Sequence, residues 1–218
     1  MNTWIIIPVK PLKRAKSRLA SALTAEQRYE FAVLMFRQVL AVAKSVAGIA
    51  GVLVISRDTQ ALAIARDAGV KTIQESSPSE LNPALHRATE MVKLWRAEAS
   101  LILPADLPFL TVGDVEALLA LGQSLSQGIV VATDKDRDGT NAMLVKPPDV
   151  IGFHYGDGSF SRHTVLAQMA GVEVREYASE TIALDIDTID DLHTYNRMVL
   201  SGAYGQALHP FMPNIPAT

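Results

Sequence analysis

Seven short apolar runs rich in valine and isoleucine constrain this chain more than any other feature: TWIIIPV (3–9), GVLVIS (51–56), VKTIQ (70–74), SLILPAD (100–106), GIVVATD (128–134), NAMLVK (141–146) and VEVREY (172–177). Their apolar character is continuous instead of alternating, as expected of strands covered on both faces. Amphipathic helical patterns separate most of them. One opens at Thr24, with Gln27 placed for a capping box and Phe31, Leu34, Met35, Val39 and Leu40 along one face. Others run through DTQALAIARDAG, NPALHRATEMVKLWRAEA and TVGDVEALLAL, where Thr111 has the character of an N-cap. Strand–helix alternation predicts an α/β domain: a mostly parallel mixed sheet with right-handed crossovers and helices on both faces. From about residue 128 the alternation loosens into two successive strands and the loop FHYGDGSFSRH. No composition shift, linker or repeat divides residues 1–200, which read as one domain. The Gly/Pro-rich tail 201–218 is expected to form an arm on the surface or on a second subunit, so a homodimer is a candidate assembly.

Bulk properties narrow the partners. The 218 residues can bury a sizeable core, and 49% hydrophobic with 20% charged residues is ordinary globular composition. A net charge of -3 and a pI near 5.9 argue against general nucleic-acid binding. With no cysteine, disulfides, thiolate metal sites and a cysteine nucleophile are excluded. TWIIIPV is too short for a signal h-region and lacks a basic n-region, and no apolar run reaches membrane-spanning length, so a soluble cytoplasmic protein away from membranes is expected.

Against that acidic background, Lys10, Lys13, Arg14, Lys16 and Arg18 crowd into PVKPLKRAKSRL directly after the first strand. Ligands of open parallel sheets sit beyond the carboxyl ends of the strands. Lys10, Lys16 and Arg18 at such an end can surround a polyphosphate, while Lys13 and Arg14 read as solvated. The loop is neither a Walker A motif nor a GxGxxG fingerprint. Asp106, at the end of SLILPAD and followed by proline, is suited to holding a divalent cation against phosphate oxygens, and it lies too far before Thr111 to cap that helix. In LDIDTIDDL, Asp185 and Asp187 share one face of an extended segment, and Asp187 is the candidate second carboxylate for the metal. Asp190 and Asp191 are explained by the first turn of a helix opened by Thr188. The glycines and serines before SRHTVLAQMA either leave backbone amides for an anion or form an ordinary turn with Ser159 as N-cap. His154 and His163 have no metal-ligand spacing and are not read as catalytic.

Taken in order, IPVKPLKRAKSRL, ELNPALHRA, LPADLP, DGTNAML, FHYGDGSFSRH and LDIDTIDDL resemble the 2-phospho-L-lactate or phosphoenolpyruvate guanylyltransferases of coenzyme F-420 biosynthesis, over residues 3 to 198. The resemblance implies a single Rossmann-like nucleotidyltransferase domain and transfer of GMP from GTP to a three-carbon phosphorylated acid, with release of pyrophosphate. Lys16, Arg18 and Asp106 would then be catalytic. Lys10, Lys16, Arg18 and Asn82 would bind the nucleotide, and Mg2+ would sit on Asp106 and Asp187. Thr140, Gly156 and Ser159 would take the acceptor's phosphate and carboxylate. Two rival readings share the fold: a nucleotidyltransferase for CTP or a sugar phosphate, and a non-catalytic nucleotide-binding module.

Overall fold

Strand β1 (Thr3–Val9) shows why the apolar runs are continuous: Ile5 and Ile7 point into one core while Trp4 and Ile6 point into another. In the computed structural model, which describes residues 1–76, 80–202 and 208–211, β1 is followed by two single-turn 3-10 helices, Leu12–Arg14 and Ser17–Leu19. The remaining elements in chain order are α1 (Ala25–Ser45), β2 (Gly51–Ser56), α2 (Thr59–Asp67), β3 (Lys71–Gln74), α3 (Leu81–Leu94), β4 (Ala99–Ile102), α4 (Val112–Gln123), β5 (Gly128–Thr133), β6 (Thr140–Lys146), α5 (Ser159–Met169), β7 (Glu173–Glu176), α6 (Glu180–Ala183) and α7 (Ile189–Leu200). The strands form one sheet in the order β3-β2-β1-β4-β6-β5-β7. Neighbours pair in parallel except around β6, which is antiparallel to both β4 and β5. Six strands therefore end at one edge of the sheet, and the reversed β6 begins there.

The first core packs α1, α2 and α4 on the face carrying Ile5, Val54, Leu101, Val130 and Leu144. The second packs α3 and α5 on Trp4, Ile6, Leu53, Ile129 and Met143. Each fully buried Ile or Leu contributes roughly 1.5–3 kcal/mol, so covering both faces stabilises the sheet strongly. A third cluster joins Leu19 and Leu23 to Phe31, Met35, Phe109 and α7 residues Leu192 and Tyr195. It seats the β1–α1 loop and the start of α7 side by side. Within residues 208–211 of the C-terminal tail, Leu208 and Phe211 are buried in this cluster, and Asn196 exchanges two hydrogen bonds with the Phe211 backbone, at 2.7 and 2.8 Å. This short stretch therefore folds back into the domain and is not a surface arm.

The threonine signals for helix starts hold. Thr24, Thr111 and Thr188 each close a capping box with the residue three positions on. Among the described residues, no helix is long and apolar enough to cross a membrane.

Candidate active site

A cleft of about 690 Å³ opens along the edge where the six strands end. The loop after β1 lines it with Lys10, Lys16 and Arg18, and the segment beyond β4 adds Asp106. The start of β6 contributes Thr140 and Asn141, and the stretch before α7 contributes Asp185 and Asp187. Asp106 and Asp187, distant in sequence, thus reach one wall, as the reading of two metal carboxylates requires.

Between them lies Lys16. Its Nζ donates to Asp106 Oδ2 at 2.8 Å and to Asp187 Oδ1 at 3.0 Å, with only 5% of the side chain exposed. Burial alone would lower the Lys16 ammonium, but the charges of Asp106 and Asp187 outweigh it and hold it above the ordinary lysine value. Burial would likewise raise Asp106, and the Lys16 charge overrides it to hold this carboxyl below the usual range. For Asp185 the Lys16 charge is outweighed: burial, then the charges of Asp106 and Asp187, push it up to about 6, although Asn141 Nδ2 donates to it at 3.3 Å. Lys16 adopts the left-handed backbone conformation, φ 55°, where a side chain is disfavoured by roughly 1–2 kcal/mol. Its two carboxylate partners hold it there.

Arg18 is 71% exposed, stands 3.6 Å from Asp187 Oδ2 and lines the cleft as a largely exposed cation. Lys10 and Arg14 also line the cleft, whereas Lys13 is exposed and does not. Asn82 is placed differently from a nucleotide contact. Its Nδ2 donates to the Tyr155 carbonyl at 3.2 Å and its Oδ1 accepts the Tyr155 N–H at 2.8 Å, so both polar ends clip the 153–158 loop to the start of α3.

Thr140 and Ser159 meet at the opposite wall, both buried: Ser159 Oγ accepts the Thr140 N–H at 2.9 Å. Gly156 lines the cleft at φ 124°, a conformation that favours glycine. Ser159 is not the N-cap of α5; Gly158 is. Nor are the first amides of that helix left for an anion. The Gly158 N–H donates to Asp138 Oδ2 at 2.9 Å, and the Ser159 and Phe160 N–H groups donate to the carbonyls of Gly156 and Asp138, each at 3.0 Å.

Several contributors went unrecognised in the sequence. Asp134 organises the β5–β6 turn by accepting from the N–H groups of Asp138 and Gly139, and a Cβ on Gly139 would stand 2.8 Å from its Oδ2. Arg57 brings a further cation to the cleft from the end of β2. Asp191 is more than a helix-dipole residue: it accepts from Thr188 and pairs with Lys135 at 2.5 Å, fixing the turn beside Asp187. The DKDRDG and TIDD strings carry signals for turns and caps, but their tertiary partners are far away in sequence.

A sheet of this order, with a basic loop and paired carboxylates where its parallel strands end, defines a nucleotidyltransferase. Solved structures agree on the fold. A protein assigned as a nucleotide-diphospho-sugar transferase from Desulfovibrio desulfuricans G20 superposes with a TM-score of 0.75 at 15% identity, covering 94% of this chain and 90% of that one. A CMP:2-keto-3-deoxy-manno-octonic acid synthetase complexed with CTP gives 0.64 at 16% identity, covering 92% and 99%. The chain belongs to the guanylyl transferase CofC-like family, whose profile matches residues 3–207. Its relatives include phosphoenolpyruvate guanylyltransferases from Conexibacter woesei, 33% identical over 95% of this chain and 93% of that protein, and from Rubrobacter xylanophilus, 36% identical over 88% and 92%. The corresponding protein of Roseiflexus castenholzii is 39% identical over 88% of this chain and 87% of its own length.

Proposed function

We propose that this protein transfers GMP from GTP to a three-carbon phosphorylated acid, phosphoenolpyruvate or 2-phospho-L-lactate, within coenzyme F-420 biosynthesis. The observation that carries the reading is the Lys16 bridge between Asp106 and Asp187 in the strand-end cleft of a chain related along its length to phosphoenolpyruvate guanylyltransferases. A phosphate oxygen of the acceptor attacks the α-phosphorus of GTP. The bond from that phosphorus to the α–β bridging oxygen breaks, and pyrophosphate departs with the bond's electron pair. The acceptor phosphate is already ionised at neutral pH, so no general base is needed, and catalysis consists of positioning and charge neutralisation.

In this reading Lys16 supplies the fixed charge. An ammonium has three donors, and with two on carboxylates the third remains for a phosphate oxygen. Lys10 and Arg18 add charge from the same loop. Asp106 and Asp187 suit Mg2+, which takes one or two carboxylates and draws its other ligands from water and phosphate. Lys16 takes Asp106 Oδ2 and Asp187 Oδ1, and the second oxygen of each carboxylate would be the donor to such an ion. When bound, the ion would neutralise charge on the triphosphate and the departing pyrophosphate. Thr140, Gly156 and Ser159 receive the acceptor, and Asn82 acts indirectly by holding the loop that carries Gly156. The reading also keeps the enzyme in the cytoplasm, with residues 1–200 as the catalytic domain and a homodimer as its assembly.

The test is pyrophosphate release with each of the four nucleoside triphosphates against phosphoenolpyruvate, 2-phospho-L-lactate and 3-phosphoglycerate, with and without Mg2+. Turnover confined to GTP, Mg2+ and one of the first two acids is expected. Preference for CTP or for a sugar phosphate would overturn the reading.

A further inference from the structure

Behind the wall formed by Thr140 and Ser159 lies a histidine that does not line the cleft. His163, on α5, is fully buried and bonded through both ring nitrogens. The backbone N–H of His154 can only donate, and it ends on His163 Nε2 at 3.0 Å. Nε2 therefore carries the lone pair, and the neutral ring keeps its hydrogen on Nδ1. Nδ1 faces Thr140 Oγ1 at 3.0 Å, so the threonine oxygen accepts there. Ser159 Oγ is likewise engaged as an acceptor, by the Thr140 N–H. A hydroxyl has one hydrogen, and with both oxygens accepting from the protein, both hydrogens are left for the cleft that the two residues line. The wall thus offers donors, as an anion requires. This matters because the first amides of α5 are already taken by Asp138 and Gly156.

We propose that His163 is a positioning residue for the acceptor: its Nδ1–H commits the Thr140 hydroxyl to donating toward the acceptor's anionic group, and its Nε2 anchors the loop carrying Gly156. The proposal rests on the reading that Thr140 and Ser159 bind the acceptor. Burial, reinforced by the charges of His154 and Arg162, pushes the His163 imidazole down to about 4, so the neutral ring persists at neutral pH.

Two replacements separate the two nitrogens. In His163→Asn the amide nitrogen takes the place of Nδ1 and can still donate to Thr140. In His163→Gln the amide oxygen takes the place of Nε2 and can still hold the His154 N–H, leaving Thr140 without its donor. Thr140→Val removes the hydroxyl itself. KM for GTP, KM for whichever of phosphoenolpyruvate and 2-phospho-L-lactate releases pyrophosphate, kcat and melting temperature are measured for all three. Thr140→Val and His163→Gln are expected to raise the acceptor KM about tenfold with GTP KM within about twofold, whereas His163→Asn keeps acceptor KM within about threefold. If Thr140→Val raises the acceptor KM while His163→Gln does not, or if Asn and Gln raise it equally, the role of His163 is overturned and the pocket stands. If Thr140→Val leaves the acceptor KM unchanged, the pocket reading itself falls. Nitrogen NMR of the wild-type imidazole needs no variant to fold: a hydrogen on Nδ1 supports the proposal, and one on Nε2 overturns it.

Discussion

Lys16 couples local strain to chemistry. A left-handed lysine with a buried ammonium is retained because Asp106 and Asp187 offset both the backbone cost and the desolvation. Asp106→Asn removes one of the two charges that hold this ammonium and one of the candidate metal ligands. The variant is expected to remain folded by circular dichroism and to lose nearly all Mg2+-dependent pyrophosphate release; near-normal turnover would overturn the assignment. The other basic residues of the loop divide by their place. Arg18 lines the cleft and Lys13 does not. A charge-assisted bond to phosphate contributes about 1.5–3 kcal/mol, so Arg18→Ala should raise the GTP KM by about ten- to a hundredfold. Lys13→Ala should change it by less than about threefold, as for an exposed charge. Equal losses in the two variants would mean that the loop acts as a diffuse field. Lys10, Lys16, Arg18 and Asp106 could be named from sequence because they follow apolar runs whose ends mark the ligand edge, and Asp187 because it alternates with Asp185 in LDIDTIDDL. Neither the Lys16 bridge nor the clip made by Asn82 could be read that way, since they depend on contacts between residues 171 and 73 positions apart.

Among the elements, α4 shows how a local motif gains a second task. Asp114 completes the capping box with Thr111, which the threonine before TVGDVEALLAL already announced. Its carboxylate also accepts from Tyr177 at 3.1 Å, Ser179 at 2.6 Å and Thr181 at 2.7 Å, tying α4 to α6 and the stretch before it. Nothing adjacent to Asp114 signals those partners, which lie more than sixty residues on. Burial would raise this carboxyl, but hydrogen bonds from Ser179, Thr111 and Thr181 hold it below its ordinary value of 3.8. With the folded value depressed, the stabilisation is complete above the unfolded value and is lost as pH falls through the folded one. Asp114→Asn is therefore expected to lower stability at pH 7 by roughly 2–3 kcal/mol. Urea melts of both proteins should draw together only as pH falls below 3.8 toward the depressed folded value, where the wild-type carboxyl takes up its proton. A penalty of the same size at pH 3 and pH 7 would show that the charge contributes nothing.

At the scale of the whole molecule, the two faces of the sheet were legible because apolar residues run through consecutive positions of the strands, and the reversed β6 was foreshadowed by two successive apolar runs. The fate of the tail was not, since its glycines and prolines advertise the absence of regular structure and say nothing about docking. Residues 208–211 pack where α1 meets α7. The Phe211 and Phe31 ring centroids are 4.6 Å apart, and Tyr195 Oη donates to the His209 carbonyl at 3.0 Å. The same cluster holds Leu19, on the loop that presents Lys16 and Arg18, and Ile186, between Asp185 and Asp187. The anchor thus supports from behind the wall that carries Lys16 and Asp187, without lining the cleft. Phe211→Ala should destabilise the protein by about 3 kcal/mol, the cost of emptying a buried aromatic site. Asn196→Ala should cost about 1–3 kcal/mol by leaving the Phe211 N–H and carbonyl unpaired. Measured well below the melting transition, both variants should keep their KM for GTP within about twofold, because no cleft contact is lost. A raised GTP KM in a fully folded Phe211→Ala enzyme would show that the segment shapes the phosphate loop directly. Unchanged urea midpoints in both variants would show that residues 208–211 contribute nothing to the core.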